Sequence, residues 1–138
     1  MVFITRKEHF NAAHKVFRAD WSDEKNLEVF GKCANPNWHG HNYTVFVTVK
    51  GDVNPETGFV VNLKLLSELI RTEICDKLDH KNLNLDVEFL SGVMPSTEMV
   101  AIKIFERLLH PIADLGATLH GIRLCETENN FVEYFGDK

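Results

Sequence analysis

HGHNYTVFVTVK, residues 39–50, is the stretch on which the fold turns. From His41 onward the side chains alternate: Tyr43, Val45, Val47 and Val49 on one face, Thr44, Thr48 and Lys50 on the other. A period of two is strand geometry. Phe46 interrupts the polar face, so both faces of this strand are expected to be partly covered. Two histidines stand at its entrance. Residues i and i+2 share a face, so His39 and His41 point the same way if the strand begins that early.

Upstream, residues 2–10 carry a looser strand pattern that runs on towards His14. A long irregular excursion, residues 17–38, separates the two strands. Within it Ser22 is a natural N-cap for a short helix through DEKNLEVF, and Gly31 its stop. Downstream, GDVNPETG (51–58) is turn chemistry. Leu63, Leu66, Ile70 and Ile74 then recur at helical spacing behind Asn62, a favourable N-cap. LDHKNLNLDVEF reads as a connector. A second helix opens at Ser96 or Thr97 after Pro95, with Val100, Ile104 and Leu108 as its apolar stripe and Pro111 near its end. Two strands, 118–126 and 130–135, close the chain around the turn Glu128-Asn129-Asn130. The predicted order is ββααββ: an α+β fold with an antiparallel four-stranded sheet and two helices on one face.

The bulk properties narrow the classes. A chain of 138 residues that is 44% hydrophobic is expected to form one domain over residues 1–138. The net charge is −5 with no basic cluster, which argues against a nucleic-acid groove. No apolar run is long enough for a membrane span and the N-terminus lacks a signal peptide pattern, so a cytoplasmic protein is expected. Cys33, Cys75 and Cys125 are odd in number and widely spaced, so no disulfide framework is suggested and at least one thiol is free.

Read alone, a His-x-His at a strand entrance is as readily a pair of solvated side chains as a metal site. A third histidine changes that. If the first two strands pair antiparallel, His14 at the end of one lies beside His39 and His41 at the start of the other. Three imidazoles without a fourth protein ligand describe a catalytic zinc site with an open position. A structural zinc site would more often be closed by thiolates, and Cys33 is the only cysteine nearby. His9, His110 and His120 have no such company.

Several separated segments carry a resemblance, in order and nearly end to end: FNAAHKV, NLEVFGKC, NPNWHGHNY, VNLKLL, LDHKNLN, STEMVA and CETENNFVEY. With them the chain resembles the 6-pyruvoyl-tetrahydropterin synthase family, which includes the 6-carboxy-tetrahydropterin synthases. The resemblance implies the tunnelling fold, with trimers whose sheets close a barrel and stack in pairs as homohexamers. It implies zinc held by His14, His39 and His41, and 7,8-dihydroneopterin triphosphate as substrate. It also implies loss of triphosphate to give 6-pyruvoyl-tetrahydropterin, as in tetrahydrobiopterin synthesis. Cys33 matches the family's proton-abstracting cysteine, which needs a lowered pKa, and Asp79 and His80 match a relay pair supplied by a neighbouring subunit. Glu126 matches the pterin-anchoring glutamate, and Thr97 and Glu98 a second pterin-contacting segment. Trp38 stands where animal members usually carry glycine.

Two rival expectations remain. The 6-carboxy branch, which feeds queuosine synthesis, tends to place three residues between the cysteine and HGH; here there are five, Ala34 to Trp38. The other rival is a non-catalytic zinc-stabilised binding module, in which Cys33 would be dispensable.

Overall fold

A computed structural model describes residues 1–137. The chain runs β1 (Val2–His14), α1 (Asp23–Phe30), β2 (His39–Gly51), α2 (Leu63–Ile70), α3 (Asp76–Leu78), β3 (Lys81–Asn82), α4 (Thr97–Asp114), β4 (Thr118–Cys125) and β5 (Phe131–Tyr134). One sheet holds the strands in the order β3-β1-β2-β4-β5.

The alternation in β2 sorts as expected. Tyr43, Val45, Val47 and Val49 are fully buried against the helices, and Phe46 on the opposite face is half-buried. Complete burial of one such side chain stabilises the fold by about 1.5–3 kcal/mol, so this row is the backbone of the core. The helices complete that core: Leu66, Ile70 and Ile74 from one segment, Val100, Ile104 and Leu108 from α4. Leu63 is exposed and does not join them.

Helices α1, α2 and α4 each start where a side chain satisfies orphaned N–H groups of the first turn. Ser22 accepts from the Lys25 amide, Asn62 from Lys64 and Leu65, and Ser96 from Met99. Gly31 ends α1 with φ 58°, a conformation that favours glycine. Between α2 and α3 the helix passes through a five-residue π-helical turn, Arg71–Cys75.

The sheet has five strands rather than four, and it is mixed rather than purely antiparallel. The added strand, β3, runs parallel to β1 through Ala12–Lys81 and Ala13–Asn82. His80 donates to the Asn11 carbonyl at 2.6 Å and Leu83 to the Ala13 carbonyl at 2.8 Å. Two residues are too few for any alternation to register, so the segment reads in sequence as a connector. Its effect is to cover, at Ala12 and Ala13, the edge of β1 that faces away from β2.

Candidate functional site

The pairing of β1 with β2 places His14 directly opposite His39, and Ala12 opposite His41. Strand alternation then turns Phe10, Ala12 and His14 of β1 to the same side as His39, His41 and Tyr43 of β2. The three imidazoles converge there. Their ring centroids lie 4.5 Å (His14–His39), 5.2 Å (His14–His41) and 4.9 Å (His39–His41) apart. One nitrogen from each falls within 4.8 Å of the others.

The donor set fits a metal ion. His14 Nδ1 donates to the carbonyl of Pro95 at 2.8 Å, since a carbonyl only accepts. That fixes the tautomer and leaves the Nε2 lone pair free, the arrangement seen at metal-ligating histidines. His14 Nε2, His39 Nδ1 and His41 Nε2 are all buried without a hydrogen-bond partner. Burial also lowers the pKa of each ring, which favours the neutral, ligating form.

Glu126 flanks the triad. One carboxylate oxygen, Oε1, lies 3.4 Å from His41 Nε2 without forming a hydrogen bond, and Oε2 accepts from the Thr97 hydroxyl. Thr97 is buried in the first turn of α4, and the Glu126 amide donates to the Asn130 carbonyl in the turn after β4, so helix and turn together hold the carboxylate. Glu98 joins Thr97 and Glu126 around a small cavity of ≈ 160 Å³ closed by Asn130, Phe131 and Val132.

Cys33 rides on a single 3-10 turn, Gly31–Ala34, that follows α1. The Val16 amide, two residues beyond His14, donates to the Cys33 carbonyl at 2.7 Å and ties this turn to the triad's end of β1. Burial, and then the Glu126 charge, push the thiol up from its ordinary value. This is opposite to the lowered pKa that a proton-abstracting cysteine needs; the protein groups alone do not supply it.

Trp38, the residue before His39, adopts φ 66°. It closes a tight turn in which its amide donates to the Asn35 carbonyl at 3.1 Å. A non-glycine residue in this region is strained, by about 1–2 kcal/mol. The conformation explains why glycine suits the position.

Asp79 and His80 lie elsewhere. The Asp79 carboxylate accepts from the Asn11 amide at 2.8 Å and lies 2.9 Å from His80 Nδ1. The Asn11 amide, and next the His80 ring, hold that carboxyl below its usual range. Among the described residues, none of the pair's hydrogen bonds reaches Cys33, Glu126 or the triad, and the His80 side chain is 82% exposed. Sequence reasoning also passed over two groups: the Pro95 carbonyl, for which no sequence signal exists, and Tyr43. The period-two row His39, His41, Tyr43 was the available signal for the latter.

Known proteins resemble this chain over nearly its full length. The profile of the 6-pyruvoyl tetrahydropterin synthase family matches residues 3–137. The 6-pyruvoyl tetrahydrobiopterin synthase of Pongo abelii is 44% identical over 134 residues, 97% of this chain and 91% of that protein. The structure of Caenorhabditis elegans 6-pyruvoyl tetrahydropterin synthase superposes with a TM-score of 0.91 at 38% identity, covering 99% of this chain and 96% of that one. A 6-carboxy-5,6,7,8-tetrahydropterin synthase of Bacillus subtilis is 32% identical over 107 residues, 76% of this chain and 64% of that protein. The chain belongs to the 6-pyruvoyl tetrahydropterin synthase family.

Proposed function

We propose that the chain is a zinc-dependent carbon–oxygen lyase that converts 7,8-dihydroneopterin triphosphate to 6-pyruvoyl-tetrahydropterin with elimination of triphosphate. One observation carries the proposal: three partnerless imidazole nitrogens and a carboxylate pinned by Thr97 share one site in a chain of this family.

His14, His39 and His41 hold the zinc. When bound, the ion supplies a Lewis acid beside the substrate's side-chain hydroxyls. Glu126 anchors the other end of the substrate, accepting two parallel hydrogen bonds from the ring's 2-amino group and N3–H. The Thr97 hydroxyl holds the carboxylate in register for that contact, and Glu98 borders the same cavity. Cys33 removes a carbon-bound proton from the side chain. It does so as thiolate, so positive charge at the triad has to offset the upward pressure from burial and Glu126. The C–O bond to triphosphate breaks with its electron pair leaving on the phosphate oxygen. The electrons lost by the side chain end in the pterin ring, so no external oxidant or reductant takes part.

Asp79 and His80 relay protons at the site of a neighbouring subunit. The carboxylate orients the imidazole and stabilises its charged form. Their exposure, with no bond to their own triad, suits a pair that serves another chain. The assembly is a homohexamer of two trimers, which also covers the exposed Phe3, Phe131 and Phe135 on the sheet's outer side.

The Bacillus relative keeps the 6-carboxy reaction as a second reading; the five residues between Cys33 and His39 favour the pyruvoyl product. Incubation with 7,8-dihydroneopterin triphosphate, followed by mass analysis, tests the choice. The 6-pyruvoyl product with free triphosphate is expected. A 6-carboxy product with acetaldehyde would overturn it.

A further inference from the structure

A buried hydroxyl left dry and unpaired costs about 1–3 kcal/mol, and folded chains rarely tolerate one. Four buried side-chain polar atoms lack a partner among the described residues: His14 Nε2, His39 Nδ1, His41 Nε2 and the Tyr43 hydroxyl. A metal ion accounts for the three nitrogens. It does not account for the hydroxyl.

Tyr43 is fully buried and belongs to the same row as the ligands, two residues beyond His41 on the inward side of β2. Its ring stacks on Phe10 at 5.0 Å with the planes 15° apart. It stands nearly edge-on to His41 at 5.6 Å and to His14 at 6.1 Å. Thr44 pairs with Cys125, the last residue of β4, so Glu126 leaves the strand next to the point where Tyr43 precedes Thr44 in β2. The phenol therefore lies buried beside the site, with the metal ligands along its own strand and Glu126 just past the end of the neighbouring one.

We propose that the Tyr43 hydroxyl is a further substrate-contacting group, hydrogen-bonded to the bound reduced pterin between the metal end and the Glu126 end. The inference rests on the function proposed above. If Glu126 takes the 2-amino and N3–H edge and the metal faces the side chain on C6, the atoms in between are O4 and N5. Both accept hydrogen bonds, and a phenol donates one. The stacked ring on Phe10 leaves the hydroxyl little freedom, so the contact is pre-positioned.

Tyr43→Phe tests this, because it keeps the ring and deletes only the O–H. Three quantities are read on zinc-loaded protein beside wild type: kinetics with 7,8-dihydroneopterin triphosphate, affinity for 7,8-dihydroneopterin by fluorescence titration, and zinc content. A fall of roughly tenfold in kcat/KM and in pterin affinity is expected. Zinc content should stay the same and the melting temperature the same or higher. Unchanged kinetics and affinity would overturn the inference, and a lowered melting temperature alongside them would assign the hydroxyl to a buried water. Loss of zinc in the variant would overturn it as well. A wild type that neither turns over the substrate nor binds the pterin would instead refute the proposed function, and this inference with it.

Discussion

Glu126→Gln separates two roles that a carboxylate can play in this site. The negative charge raises the pKa of the Cys33 thiol and, 3.4 Å from His41 Nε2, opposes the fall of the His41 pKa. Only if His41 were protonated would unit charges at that separation interact, by about 5 kcal/mol at an effective dielectric constant of about 20, so the carboxylate acts on the neutral ring chiefly by opposing the loss of its proton. Removing it lets the thiol pKa fall. If Glu126 mattered only through Cys33, the glutamine variant would be faster. As a pterin anchor, it makes the variant much slower. Gln offers one acceptor where Glu offers two and sets an N–H₂ against the ring's own donors. Losing a charge-assisted hydrogen bond of about 1.5–3 kcal/mol and adding that mismatch lowers kcat/KM by about two orders of magnitude or more. The fold should persist, because the amide oxygen still accepts from Thr97. The assay pairs steady-state kinetics with the pH dependence of Cys33 alkylation by iodoacetamide in metal-free protein. A lower kcat/KM with an alkylation midpoint shifted to lower pH is expected. Activity within threefold of wild type refutes the anchoring role, and a midpoint shifted upward refutes the electrostatics.

Four further outcomes follow from the geometry. Zinc at a thousand times its dissociation constant should stabilise the fold by about 4 kcal/mol, a rise of order 10 °C in melting temperature; calorimetry with and without chelator checks it. Without metal, His14, His39 and His41 have folded pKa values lowered by burial, so the folded chain binds fewer protons than the unfolded one. Stability is then full above about pH 6.5 and declines as pH falls through the lowered values; a flat series of denaturant melts between pH 7.5 and 5 would contradict this. Cys33→Ala and His80→Ala should each abolish turnover with zinc retained, yet mixed and reassembled subunits should regain part of it; no recovery on mixing rules out the proposed shared site. Trp38→Gly should be more stable than Trp38→Ala by about 1 kcal/mol, since both lose the ring and only glycine relieves φ 66°; the reverse order in urea melts removes the strain argument.

The sequence reached the site further than physical patterning alone allows. The alternation in β2 and the two helical stripes are strong local signals, and the structure buries all of those residues but Leu63. The convergence of His14, His39 and His41 needs only one tertiary assumption, that β1 and β2 pair antiparallel, and the His14–His39 register satisfies it. What stayed hidden depends on contacts distant in sequence. The two-residue β3 is a strand only because Asn11 and Ala13 offer carbonyls to His80 and Leu83. The link between Thr97 and Glu126 joins residues 29 apart. The thiol's upward shift follows from burial and from Glu126, neither visible around Cys33 in the chain. Tyr43 was placed correctly on the apolar face, where its position as a core residue obscured its hydroxyl.

Turnover against metal occupancy, measured on one preparation of the chain, bears most directly on the zinc-centred site. Protein stripped by chelation and reloaded in steps is assayed with 7,8-dihydroneopterin triphosphate while zinc is counted by elemental analysis. Activity should rise in proportion to zinc and level off at one ion per chain, and His14→Ala should hold neither metal nor activity. Full turnover in stripped protein, or in His14→Ala, would contradict it.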